Sequence, residues 1–154
     1  MRLTVIAVGT RMPRWVDEGV AEYGKRLPPE LKLAWREIGL ARGGGDSGQR
    51  RDREARDILK AIPAGDLVIA LDVQGRRLST PDLARCLQDW QMQGDNVSLL
   101  VGGPDGLAPA CLERATRRWS LSDLTLPHPL VRVLLAEQLY RAWTITVNHP
   151  YHRA

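Results

Sequence analysis

No stretch of this sequence approaches the about 20 consecutive apolar residues that a membrane-crossing helix needs, so nothing reads as a span. Cysteine is scarce. Cys86 and Cys111 are the only two, too few for a disulfide framework, and they suit a reducing compartment; a cytoplasmic location is expected. Phenylalanine is absent, leaving the aromatic volume to five tryptophans and three tyrosines. The tryptophans fall at helical or strand positions and read as core or interface. The three histidines are His128, His149 and His152. The last two stand three apart, but no cysteine is near and the nearby acids are only Asp123 and Glu137. Zinc-site spacing is missing, and no metal is expected. A G-x-G-x-x-G run followed by a ribose-holding acid is missing, and so is a P-loop. No Ser–His–Asp arrangement stands out.

What is present is one domain's worth of chain: 154 residues, 44% hydrophobic. A chain of this size buries roughly 70% of its unfolded surface. The net charge of +4 favours an anionic partner such as nucleic acid without proving one. The first ten residues are mostly apolar. They are too short for a signal peptide, lack a small-residue cleavage site, and read as a first strand.

Short apolar runs alternate with amphipathic stretches. Residues 3–8 (LTVIAV), 31–38, 67–71 (LVIAL) and 97–101 predict strands, the third closed by Asp72 and a Gln74-Gly75 turn. Pro13 opens a helix to about residue 27, with Trp15, Val16, Val20 and Tyr23 inward, stopped by Pro28-Pro29. Residues 41–49 (ARGGGDSGQ) predict a mobile loop, and residues 50–62 a charged helix. Ser79-Thr80-Pro81-Asp82 is a helix start: a hydroxyl cap, a proline, then an acid in the first turn. Cys86, between Leu83 and Leu87 on that helix, reads as core. Pro109 opens a helix to about residue 118; residues 119–126 give a short strand and an irregular segment. A long helix covers 130–146, and its face of Val131, Leu134, Leu135 and Leu139 must be covered by something. The alternation implies an α/β domain with a mainly parallel sheet.

In such sheets ligands bind beyond the carboxyl ends of the strands. Two loops qualify, residues 102–106 (GGPDG) and 121–129. Glycines after a strand let main chain approach a ligand closely; the plain alternative is a tight turn without a ligand. The tail offers Tyr151, His152 and Arg153: an aromatic face, a titratable imidazole and a guanidinium fork, groups that stack a base and hold phosphate. Cations are dense over residues 42–60 but interleaved with acids. Arg132 and Arg141, on the last helix, are better placed for RNA.

The segments 101–107 (VGGPDGL) and 121–134 (LSDLTLPHPLVRVL) resemble the RlmH family, SPOUT-class methyltransferases of a 23S ribosomal RNA pseudouridine. Val8-Gly9-Thr10, Tyr140-Arg141-Ala142-Trp143 and residues 148–153 (NHPYHR) match as well. The likeness spans essentially the whole chain. It departs mildly at Asp105, where relatives often carry glutamate, and most in the 41–62 region. The resemblance implies a trefoil-knotted SPOUT α/β fold, a mainly parallel sheet with helices on both faces, and a homodimer. It implies S-adenosylmethionine bound by Leu71, Gly103, Leu121, Ser122, Asp123, Leu124, Thr125 and Leu126, close to the partner subunit. The target it implies is N3 of a pseudouridine in helix 69 of 23S ribosomal RNA, within the ribosome. For that reaction the candidates are His152 as base, Arg153 or Arg141 to stabilise the developing anion, and Tyr151 to stack. Two other readings remain: a non-catalytic ribosome-binding factor that keeps the pocket, and a small-molecule transferase that needs no RNA.

Overall fold

A computed structural model describes residues 1–152. Five strands, β1 (Arg2–Val8), β2 (Lys32–Ile38), β3 (Leu67–Arg77), β4 (Val97–Val101) and β5 (Arg117–Ser120), form one all-parallel sheet in the order β2-β1-β4-β3-β5. Strand periodicity sorts their side chains into two cores. Leu3, Val5, Ala7, Val97, Leu99 and Val101 share one buried cluster with α3 (Thr80–Gln93) and α5 (His128–Thr146). Ile6, Val8, Val68, Ala70 and Leu100 share the other with α2 (Ser47–Ala61) and α4 (Pro109–Arg114). The remaining helix, α1 (Arg14–Gly24), packs along α5. Every residue of β4 is buried, as a strand covered on both faces requires. Each large aliphatic side chain enclosed this way contributes about 1.5–3 kcal/mol against exposure.

Four expectations need correction. The glycine-rich loop ends early, because Asp46 and Gln49 form a reciprocal capping box that starts α2 at Ser47. Asp72 and Gly75 do not end β3. The strand bulges between Leu71 and Arg76 and then resumes its pairing with β5. Gly75 is needed there: a Cβ would lie 2.7 Å from the Arg118 carbonyl carbon. The helix opened by Pro109 stops at Arg114, because Thr116 donates its N–H to the Val68 carbonyl and the chain joins the sheet. Trp15 is exposed, while Val16 is fully buried. The inward stripe is Val16, Val20, Tyr23, and position 15 sits one helical step of about 100° away from it.

β4 runs between β1 and β3. The turns leaving β3, β4 and β5 therefore rise side by side at one edge, where α5 also begins.

Candidate functional site: a cavity above the sheet

The turn after β4 is closed on itself. The Gly106 N–H donates to the Gly103 carbonyl at 3.0 Å, and Gly106 holds φ +79°, which favours glycine. A Cβ on Gly102 would sit 2.6 Å from the Gly106 carbonyl carbon, and one on Gly103 2.9 Å from Val8 Cγ1. A side chain at position 102 would require the main chain to move, and one at 103 would require the Val8 side chain to shift. Asp105 is gripped from α2: Arg50 Nε donates to its carboxylate at 3.1 Å, and this bond holds the Asp105 carboxyl below the usual carboxylate range. The partners are 55 positions apart, and no local pattern in the sequence announces the pair.

The segment after β5 is shaped by its own hydroxyls. Ser120 Oγ donates to the Ser122 carbonyl at 3.1 Å, and Ser122 Oγ accepts the Leu124 N–H at 2.9 Å. Pro127 then caps α5. Between these turns and the end of β3 lies a cavity of about 560 Å³, within the range of about 300–1,000 Å³ common for small-molecule sites.

Of the expected cofactor residues, Leu71, Gly103, Leu121, Ser122, Leu124, Thr125 and Leu126 all line this cavity. Asp123 is not on its wall; its carboxylate meets Arg77 at 2.9 Å on the exposed side. Sequence reasoning missed Asp72, Val73, Trp119 and Val131, which also line it. Strand-end logic pointed to the two glycine and serine turns. It did not point to the bulge after Leu71, because nothing local marks where a strand interrupts its ladder.

His128 lines the cavity as well; the sequence placed it inside the 121–129 loop without giving it a role. Its Nδ1 is enclosed without a hydrogen-bond partner among the described residues. Burial, aided by the Arg132 guanidinium, pushes the imidazole below its ordinary pKa, so it is neutral at neutral pH. Arg132 is no RNA contact. It is 3% exposed and donates to Glu37 at 2.6 Å and to the Gly9 carbonyl at 2.7 Å. It ties the start of α5 to the ends of β1 and β2.

The tail residues gather elsewhere. Tyr151 packs on Tyr140 with ring centroids 4.6 Å apart, and the Arg141 guanidinium lies 5.0 Å from the Tyr151 ring centre. Arg141 also bonds Glu137 at 2.6 Å, which raises its pKa further, and burial raises that of the Tyr151 phenol. His149 meets Tyr140 edge-on and lies tilted against Trp143. His152 is half-buried with Nδ1 enclosed, and Arg153 lies outside the described residues. At 1.5 Å of rise per residue, Arg141 is about 20 Å along α5 from His128. Within one chain, then, the cavity and the tail cluster occupy opposite ends of the same helix and do not form one site. No group of three or more metal-ligating side chains occurs among the described residues, and no helix there is long and apolar enough to cross a membrane.

Comparison with known proteins agrees with this architecture. Residues 1–152 match the family model described as "Predicted SPOUT methyltransferase". Among curated relatives, the Ribosomal RNA large subunit methyltransferase H of Marinomonas sp. (strain MWYL1) is 56% identical over 155 residues, covering 99% of this chain and 100% of that protein. The protein of the same name from Hahella chejuensis (strain KCTC 2396) is 54% identical, covering 99% of each chain. With the family model matched over nearly its whole length and full-length identity above one half, the chain belongs to the SPOUT methyltransferases, in the RlmH family.

Proposed function

We propose that this chain transfers a methyl group from S-adenosylmethionine to N3 of a pseudouridine in helix 69 of 23S ribosomal RNA, working as a homodimer in the cytoplasm. The observation that carries the proposal is the cavity at the carboxyl ends of β3, β4 and β5, which is lined by seven of the eight residues expected to hold that cofactor. The names of the two relatives support ribosomal RNA as the substrate. The family's knotted chain path is part of the same reading.

The residues present fit the cofactor. Leu71, Leu107, Leu126 and Val131 give apolar walls for a purine. In the turn after β4, side chains at 102 and 103 would collide, which leaves main chain beside the cavity. Asp72 adds an acidic residue to the lining, whereas the Asp105 carboxylate is already engaged by Arg50. When bound, S-adenosylmethionine supplies a methyl group on a positively charged sulfur, which becomes neutral as the C–S bond breaks and the N–C bond forms. No acid is needed for that departure. The protein's contribution is to hold donor and acceptor in line, an effect of about 7–11 kcal/mol in ideal cases, and to take up the N3 proton. His152 is the proposed base, with Arg141 and Arg153 stabilising the nucleobase anion and Tyr151 stacking.

A dimer supports this assignment where a single chain does not. No residue of α5 is fully exposed, yet Val131, Val133, Leu134, Trp143 and Ile145 are only half-covered, so the helix lacks the polar face of a surface helix. A second copy lying antiparallel along it covers these residues and brings its tail to this chain's cavity.

The test is to incubate the protein with methyl-labelled S-adenosylmethionine and ribosomes and to map the labelled nucleotide. Label at N3 of a helix 69 pseudouridine is expected. Ribosome binding without label favours a non-catalytic factor, and label on small molecules without RNA a different transferase.

A further inference from the structure

A second concavity, about 520 Å³, lies at the β5 edge of the sheet. Arg76 and Arg77 reach it from the end of β3, Arg85 from α3, and Arg117 and Arg118 from β5. All five are exposed. Two aspartates, Asp82 and Asp89, oppose them. Asp82 is engaged already, accepting the Ser79 N–H in the α3 capping box and pairing with Arg85. Arg117 reaches only the Cys86 sulfur, at 3.3 Å, and among the described residues Arg76 and Arg118 make no ion pair. The floor is Trp119, buried and stacked on Trp90 at 5.9 Å.

The cleft adjoins the cavity. Trp119 lines both. Arg77, on the cleft side, is paired with Asp123, whose sequence neighbours Ser122 and Leu124 line the cavity. Val73 and Leu124, each 75% exposed, mark the cavity's rim. The other cationic region, on α2, differs. Arg50 is bound to Asp105 and the Gly45 carbonyl, Arg53 to the Gly44 carbonyl, and Asp52, Glu54 and Asp57 stand among them on the same helix. In the cleft, Arg77 and Arg85 are paired with Asp123 and Asp82, while Arg76, Arg117 and Arg118 have no carboxylate partner among the described residues.

We propose that the arginine cleft of Arg76, Arg77, Arg85, Arg117 and Arg118 holds the phosphodiester backbone of the substrate RNA beside the methyl-transfer cavity. The proposal rests on the RNA-methylating reading above and deepens it by naming the surface that holds the strand. Several guanidiniums on one rigid wall neutralise successive phosphates and release their counterions, so binding there is strongly dependent on salt. Phosphate contacts fix the strand's position without reading its sequence, which leaves selection of the target to the cavity and the shape of the RNA.

The experiment compares four full-length proteins for ribosome affinity over a salt series, with S-adenosylmethionine affinity by calorimetry beside it. One is wild type. In R76Q/R117Q/R118Q, ribosome affinity falls by about tenfold or more at moderate salt, and the log–log salt slope drops by about one for each lost phosphate contact. Cofactor affinity and melting temperature stay as in wild type. In R42Q/R56Q/K60Q, with the same charge removed from the exposed 42–60 region, ribosome affinity stays within about twofold. The lysine variant R76K/R117K/R118K keeps most of the affinity. Should the glutamine triple misfold, R76Q/R118Q carries the same comparison with a smaller slope change. Wild-type ribosome binding in the cleft variants, or an equal loss in the 42–60 variant, overturns the proposal. A wild type that binds ribosomes through the cleft but transfers no methyl group overturns the methylation reading and leaves the cleft standing. A wild type that binds the cofactor but no RNA overturns the cleft.

Discussion

The two ends of α5 are built on opposite principles. At its start the site is framed by a glycine turn in which a Cβ on Gly102 would meet main chain, a serine-shaped segment, and a histidine whose pKa burial lowers, while the buried Arg132 ties the start of α5 to the Val8 and Gly9 carbonyls. Few side chains are free to move, and a hollow remains. At its far end side chains fill the space. Tyr140, Tyr151, Trp143, His149 and Arg141 lie against one another. A rigid hollow suits a ligand that must be held in one orientation. A cluster of aromatic rings and guanidiniums suits a flat, anionic surface such as a nucleobase and its phosphate. One chain separates the two by about 20 Å of helix; the antiparallel dimer proposed above would bring them together.

The largest effect should come from filling the hollow's frame. Gly102→Ala places a methyl group against the Gly106 carbonyl carbon, so the turn must open. Cofactor affinity should fall by about 100-fold or more, read by calorimetry, with about 1–3 kcal/mol of stability lost to overpacking. Combining this variant with a chain lacking residues 149–154 sharpens the comparison. Each homodimer should be inactive. A mixed dimer retains one intact cavity facing one intact tail and should recover a measurable part of wild-type methyl transfer. If the mixture stays as inactive as its components, cavity and tail do not meet across a dimer. If the truncated protein also loses the cofactor, the tail serves the pocket rather than the substrate.

Removing the anchor comes next. Arg132→Met leaves the Gly9 carbonyl without its 2.7 Å donor and the Val8 carbonyl without a weaker one. Glu37, half-exposed, can return to water. The cost should be about 2 kcal/mol, visible as a lower Tm. At the opposite end Tyr151→Ala removes one ring from an aromatic cluster and should cost about 1 kcal/mol, with cofactor affinity unchanged. A similar loss of cofactor affinity in both variants would erase the distinction between the ends.

Much of this organisation was legible in the sequence, and the reason differs by element. β4 was read to the residue because a strand buried on both faces is nearly all apolar, here four of five residues, with Ser98 bonded to Asp66. The α3 start was read from its cap, and both atoms of the Ser79–Asp82 box are present. Failures arose where distant pairing overrode a local pattern. Residues 115–118 read as helix until Thr116 bonds Val68, and Gln74-Gly75 as a turn that closes the strand until Arg76 and Arg77 pair with β5. Arg132 looked like a surface cation because its partners, Glu37 and Gly9, lie far away in sequence. The site's two turns were visible as glycines and hydroxyls beyond strand ends. Its third wall, its histidine and the 20 Å gap to the tail depend on how the helices dock, which no local pattern states.

The smallest effect concerns that histidine. Burial and Arg132 lower the pKa of His128 in the folded protein, while the unfolded chain titrates near the ordinary value of about 6.5. As pH falls below that value the unfolded state takes up a proton that the folded state refuses, so folding loses stability in that direction. The contribution is present above pH 6.5 and drains away down to the lowered folded value. Tm should therefore fall between pH 7.5 and 5.5, and His128→Gln should make the fall shallower. Tyr151→Ala should leave the slope as it is, since the phenol stays protonated throughout. An equal slope in wild type and His128→Gln would mean that the imidazole accepts its proton in the folded protein as easily as in water. The cavity would then be open to solvent at its histidine wall, and the contrast between a dry, framed end of α5 and a packed, polar one would fail at its most sensitive point.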